Sequence, residues 1–284
     1  MMLRSEVVTA LVDAALAEDL GAGDWTTECT VPAGLEVEAH IVAKSPGVIA
    51  GRAIAECVFM RLAPTCRVAG VADGARVGRG DVVLRVHGPA RALLSGERVA
   101  LNFLQRLSGI ATLTAEFVDA VRGTGAAISD TRKTTPLLRA VEKYAVLCGG
   151  GTNHRASLDA MLLVKENHIA AAGSLERALV AALAAGRMRG VAVEVEVRTR
   201  DEFDVVLHLA PDRILLDHWS PEAVAAAVRA RGARPTPLVE VSGNLELESV
   251  GAYARAGADI LSVGALTHSA KALGLSLLVQ GLRL

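Results

Sequence analysis

In the second half of this 284-residue sequence, short apolar runs repeatedly stop at residues able to do chemistry. Ala127 to Ser129 is followed by Asp130-Thr131-Arg132-Lys133, and Met161 to Val164 by Lys165-Glu166-Asn167-His168. Val191 to Val197 carries Glu194 and Glu196. Ile214 to Leu216 leads into Asp217-His218, Leu238 to Val241 into Ser242-Gly243-Asn244, and Ile260 to Val263 into Gly264-Ala265. Between Asp130 and His168 stand six Lys or Arg residues (Arg132, Lys133, Arg139, Lys143, Arg155, Lys165) against four acids (Asp130, Glu142, Asp159, Glu166), with His154 and His168 among them. Arg offers planar paired donors to carboxylate or phosphate and Lys a compact charge, so the mixture fits a ligand rich in both anionic groups. A solvated basic loop would carry the same letters, but Cys148-Gly149-Gly150-Gly151 places a close-approach turn just ahead of His154 and Arg155.

Glu194 and Asp217 supply a second kind of chemistry. Carboxylates at strand ends suit Mg²⁺ or sugar hydroxyls, because Mg²⁺ keeps several waters and binds through one or two carboxylates together with substrate phosphate. Either acid alone is as well explained as a salt-bridge partner, and since Glu194 and Glu196 share a strand face, one of them is open to the plainer role of satisfying a nearby cation. The turns Ser242-Gly243 and Gly264-Ala265 suit a phosphate held by backbone N–H groups at helix starts. Together these residues point to an enzyme acting on a phosphorylated sugar and a small polyanion with Mg²⁺. They do not specify the reaction.

The elements that must position these residues follow from periodicity. Strand-like runs alternate with helix-like sequence from about Ala127 onward, which predicts a parallel sheet, open or closed; in a β/α barrel the C-terminal strand ends face the active site. The first stretch reads as a small α+β unit: a helix over Ser5 to Leu20, a turn at Gly21 to Asp24, and strands over Val37 to Ala43, Gly47 to Ala50 and Val82 to Val86. From Ser95 a helix is expected, with Val99, Phe103 and Leu107 on one face and a narrow polar stripe of Arg98, Asn102 and Gln105. Such a helix suits an interface or a cavity wall.

Composition narrows the field. A hydrophobic share of 51% with 21% charged residues and net charge −1 is that of a folded globular protein, and neither the charge nor an aromatic content of 3% favours nucleic acid. Glu6, Asp13, Glu18 and Asp19 interrupt the apolar letters of the first twenty residues, and the run around Ala178 to Ala185 is too short to span a bilayer, so a cytoplasmic protein with no membrane partner is expected. Cys29, Cys57, Cys66 and Cys148 are scattered and are read as reduced and mostly buried.

Over nearly the whole length the sequence resembles the quinolinate phosphoribosyltransferases, or carboxylating nicotinate-nucleotide pyrophosphorylases. The resemblance rests on Glu18-Asp19-Leu20-Gly21, Glu97-Arg98-Val99-Ala100-Leu101-Asn102, Gln105 to Thr112, Thr131-Arg132-Lys133-Thr134-Thr135-Pro136, Asn153-His154-Arg155, Lys165-Glu166-Asn167-His168, Glu194-Val195-Glu196-Val197, Leu215-Leu216-Asp217 and Ser262 to Ser269. It implies an α/β fold of two parts: an N-terminal α/β sandwich over 1–108, onto which a tail over 270–284 packs back, and an incomplete, TIM-like α/β barrel over 109–269. It implies phosphoribosyl transfer from phosphoribosyl pyrophosphate to quinolinate with decarboxylation, a step of de novo NAD biosynthesis, with Mg²⁺ and no organic cofactor. A homodimer or hexamer is implied, Arg98 being donated to the neighbouring subunit's site. Residue by residue, Arg132, His154, Arg155 and Lys165 would bind the two carboxylates of quinolinate, with Lys133 near the donor. Glu194 and Asp217 would hold ribose hydroxyls and Mg²⁺, and Ser242, Gly243, Gly264 and His268 would surround the 5′-phosphate. Lys165, Arg132, Glu194 and Asp217 are the expected catalytic set.

The chain departs from the family pattern at Leu137 and Ser157, where Gly is usual, at Ala160 for Asp, at His218 for Asn, and at Asn244 for the second Gly of a Ser-Gly-Gly turn. Two rival readings are a same-fold paralogue, ModD-like or acting on a related pyridine acid, and a non-catalytic phosphosugar-binding protein. The complete cation set argues for a dicarboxylate, and the two acids argue against binding alone.

Overall fold

The computed structural model describes residues 3–280; the end of the expected tail, 281–284, lies outside the described residues. In chain order the elements are α1 (Ser5–Leu20), α2 (Trp25–Thr30), β1 (Glu36–Ala43), β2 (Gly47–Val48), α3 (Arg52–Leu62), β3 (Arg67–Gly70), β4 (Arg76–Val77), β5 (Val82–Pro89), α4 (Ala90–Ala120), β6 (Ala127–Ser129), α5 (Arg139–Cys148) and β7 (Leu162–Val164). There follow α6 (Glu166–Ala172), α7 (Leu175–Arg189), β8 (Val193–Val197), α8 (Arg200–Leu209), β9 (Arg213–Asp217), α9 (Pro221–Arg231), β10 (Leu238–Ser242), α10 (Leu247–Arg255), β11 (Ile260–Ser262), α11 (Ala265–His268) and β12 (Leu275–Val279).

Two compact units emerge. The first comprises the described part of Met1–Ala115, the segment Thr135–Gly150 and the described part of Ser269–Leu284. Its antiparallel sheet has the order β12-β1-β5-β3, so the tail strand β12 adds to the edge of β1, with Ala43 opposite Leu275 and Ala39 opposite Val279. Alternate positions of β1 are buried, Val37, Ala39, Ile41 and Ala43 facing inward as period two requires. Gly109 on α4 lets the tail approach: a Cβ there would sit 2.1 Å from the Lys271 carbonyl oxygen.

Helix α5 belongs to this unit although a division at 108/109 places it with the barrel. Its fully buried Glu142 accepts Arg106 Nη2 from α4 at 2.9 Å and the backbone N–H and hydroxyl of Thr135 at 3.0 and 2.8 Å. A charge so deeply buried needs all these donors, and they tie Thr135 and α5 to α4.

The second unit, Glu116–Thr134 and Gly151–His268, is an open α/β barrel. Its six parallel strands run β6-β11-β10-β9-β8-β7, and β6 and β7 are the two edges. Strand β8 is buried at all five positions, since helices cover one face and the barrel interior the other. Helix starts are defined locally: Ser174 and Ser220 cap α7 and α9, and Thr199 with Glu202 forms a capping box at α8. No single helix among the described residues is long and apolar enough to cross a membrane. The four cysteines are free, but only Cys66 is buried and Cys29 is exposed, which corrects the expectation that most are buried.

Candidate active site

A cavity of about 730 Å³ opens at the C-terminal ends of the barrel strands. Most of its cations come from the two edges of the open sheet and the segment between them, Arg132 and Lys133 following β6, His154 and Arg155 preceding β7 and Lys165 following it, while Arg198 follows the interior strand β8. Thr152 makes a parallel bridge to Ser129, which carries the Asn153-His154-Arg155 segment along β6. Also lining it are Glu196 from β8, Asp217 from β9, Ser242 from β10 with Gly243 after it, and Gly264 with His268 after β11.

The cation wall has the properties of an anion receptor. Arg132 Nε is buried with no hydrogen-bond partner among the described residues, an orphaned donor that costs free energy until an acceptor arrives. Burial lowers the pKa of Arg155, the Arg132 charge lowers it further, and Glu194 works in the other direction. Arg155 is oriented by a bond from Nη1 to the Met161 carbonyl at 2.9 Å. Lys165 pairs with Glu196.

Lys133, Gly264 and His268 crowd together: a Cβ at Gly264 would lie 3.1 Å from both His268 Nε2 and Lys133 Cδ. Thr267 Oγ1 donates to the Lys133 carbonyl at 2.8 Å, tying the β6 loop to α11. Gly243 has φ +99°, and a Cβ there would meet the His218 ring at 2.7 Å. His218 and Asn244 themselves adopt left-handed φ values of 61° and 48°, so two departures from the family pattern sit at turns with special backbone needs, Asn244 being the residue type better suited to one.

The acids stand in two layers. Nearer the mouth are Glu196, 7% exposed, and Asp217, which accepts Ser242 Oγ at 3.0 Å. Two residues before Glu196 on β8 and two residues before Ser242 on β10, on the same strand faces, lie the fully buried Glu194 and Glu240. Glu194 was expected beside Asp217 at the ribose; it is buried with its Oε2 facing His154 Nε2 at 3.0 Å, and of the two β8 acids it is Glu196 that lines the cavity. Glu240 Oε1 accepts Ser262 Oγ at 2.5 Å and lies 3.4 Å from His154 Nε2. Burial raises the Glu194 pKa, and burial followed by the Glu194 charge pushes Glu240 up to about 7. Arg98 is exposed on α4 and is not among the cavity-lining residues.

Sequence reasoning passed over Arg198, Glu240 and Ser262. Arg198 directly follows Val197, so collecting strand endings one residue further would have found it. An acid inside the apolar run Leu238-Val239-Glu240-Val241 was the available signal for Glu240. Hard carboxylate oxygens at the cavity mouth, Glu196 and Asp217, fit Mg²⁺. His154, Glu194 and Glu240 also bring ligand atoms within 4.8 Å of one another, but His154 donates to Glu194 and Ser262 to Glu240.

An open parallel barrel with cations and carboxylates lining one cavity at its strand ends makes this an enzyme of the phosphoribosyltransferase class. Residues 24–108 and 110–278 match the N-terminal and C-terminal domains of quinolinate phosphoribosyl transferase, and the chain belongs to that family. The nicotinate-nucleotide pyrophosphorylase [carboxylating] of Mycobacterium leprae is 48% identical over 93% of this chain and 94% of its own length. The probable enzyme of that name from Bacillus subtilis is 44% identical over 92% and 89%. The crystal structure of NadC from Streptococcus pyogenes superposes with a TM-score of 0.93 at 37% identity, covering 99% of this chain and 100% of that one.

Proposed function

We propose that the barrel cavity carries out the family reaction: quinolinate and phosphoribosyl pyrophosphate give nicotinate mononucleotide, carbon dioxide and pyrophosphate. The observation that carries the reading is one cavity lined both by the cations Arg132, Lys133, Arg155 and Lys165 and by the acids Glu196 and Asp217. Arg132, Arg155 and Lys165 hold the two quinolinate carboxylates, His154 supports Arg155 and Glu194, and Lys133, Gly264 and His268 take the 5′-phosphate with Ser242 and Gly243.

Glu196 and Asp217 hold the ribose hydroxyls and Mg²⁺, a role we move from Glu194 to Glu196 because the latter faces the cavity. When bound, Mg²⁺ neutralises charge on the departing pyrophosphate. The ring nitrogen attacks the anomeric carbon as the C–O bond to pyrophosphate breaks. The pyridinium so formed draws in the electrons of the adjacent carbon–carboxylate bond, carbon dioxide leaves, and the ring carbon takes up a proton. Fixed cations align the two anions and stabilise the moving charge, so no organic cofactor is needed.

The same reading has a homodimer or larger assembly in the cytosol, with Arg98 on the exposed side of α4 serving a neighbouring subunit's site. Calorimetric binding of quinolinate and nicotinate tests the acceptor. Quinolinate should bind at least about tenfold tighter, the worth of one charge-assisted contact, and Arg132→Ala should remove most of that difference. Equal affinities in the unaltered protein would contradict a dicarboxylate site.

A further inference from the structure

The end of β8 runs into Arg198, a cavity-lining cation to which the reading above gives no task. Its backbone is fixed, the Arg198 N–H donating to Glu202 Oε2 at 2.7 Å within the capping box that starts α8. Its side chain is 51% exposed and spans three acids. Nη1 pairs with Glu166, Nη2 lies 3.9 Å from Glu196 Oε1, and Nε lies 3.5 Å from Asp217 Oδ2. Among the described residues these acids also meet Lys165 on Glu196, and Ser242 Oγ at 3.0 Å with His218 Nε2 at 3.9 Å on Asp217 Oδ1.

A guanidinium and a divalent cation cannot both neutralise the same two carboxylates without repelling each other, and a half-exposed Arg on a fixed backbone can leave by side-chain rotation alone. We propose that Arg198 is the resident cation of the donor site in the substrate-free enzyme: it balances Glu196 and Asp217 until a divalent cation bearing a polyphosphate displaces it. The proposal rests on the assignment of those two acids to the metal. It makes Arg198 a positioning residue that bridges both carboxylates in the free enzyme, and it sets the occupancy of the site by metal alone.

Titration of the substrate-free protein with Mn²⁺, following the free-ion signal by electron paramagnetic resonance, measures this without turnover. Arg198→Ala should bind Mn²⁺ about twofold to fivefold more tightly than the unaltered protein, the range expected for losing a competing, partly exposed ion pair. Adding Asp217→Asn to Arg198→Ala should abolish the gain. Equal Mn²⁺ affinity with and without Arg198, with binding still dependent on Asp217, would overturn the role of Arg198 and leave the metal acids standing. Binding unchanged by Asp217→Asn as well would overturn both.

Discussion

His154 Nε2 faces Glu194 Oε2 at 3.0 Å while His154 Nδ1 accepts the backbone N–H of Arg155 at 2.8 Å. Accepting at Nδ1 leaves the ring proton on Nε2, so the imidazole donates to Glu194 and the proton position follows from the backbone of its own neighbour. Glu194 thus accepts at Oε2 while burial raises its pKa above the ordinary carboxyl range. Glu240, pressed by burial and by the Glu194 charge, is protonated up to about pH 7.

A stability dependence on pH follows. A carboxyl raised from 4.5 to about 7 in the folded state contributes stability that is fully present below 4.5 and is lost as pH rises through 7. For the Glu240 carboxyl alone this amounts to at most about 3 kcal/mol. Urea unfolding at several pH values between 4.5 and 8 should show that fall, and Glu240→Gln, which keeps an acceptor for Ser262, should flatten it. An unchanged slope in the variant would assign the dependence to other groups.

Lys165→Ala should lower kcat/KM by about a hundredfold or more while leaving the melting temperature within a few degrees. The side chain is 43% exposed and its partner is the cavity acid Glu196, so its weight lies in binding charge rather than in the core. Near-normal turnover would remove it from the site.

If Arg98 serves a neighbouring subunit, Arg98→Ala and Lys165→Ala proteins, each nearly inactive, should complement on mixing after subunit exchange. In a dimer, half of the random pairs carry one intact site of two, giving roughly a quarter of full activity. No recovery, with exchange verified, would place Arg98 outside a shared site.

Glu142→Ala should destabilise the protein by about 3 kcal/mol, because it removes a fully buried carboxylate that pairs with the partly buried Arg106 and ties down Thr135, and leaves a cavity in its place. A loss below about 1 kcal/mol in urea unfolding would show that this ion pair does not hold α5 to α4.

Much of this was legible in the sequence. The strand runs from Ala127 to Val263 appear as β6 to β11 because buried parallel strands are short apolar runs, and their polar endings line the cavity. Three things were not legible. Periodicity puts Glu194 and Glu196 on one face but does not say how deep the strand sits, so the choice between them needed coordinates. The attachment of α5 to the first unit depends on the long-range pairing of Arg106 with Glu142, which leaves no local trace. Leu137 reads as an ordinary apolar residue, yet it has φ 67° and is 91% exposed, a conformation better suited to the Gly usual there in the family.

The most direct test is an assay of the purified protein with phosphoribosyl pyrophosphate and Mg²⁺, offering quinolinate and nicotinate in parallel and following nicotinate mononucleotide and carbon dioxide. The cavity described here predicts equal amounts of mononucleotide and carbon dioxide from quinolinate and little or no product from nicotinate. Product from nicotinate alone, or from neither acid, would contradict it.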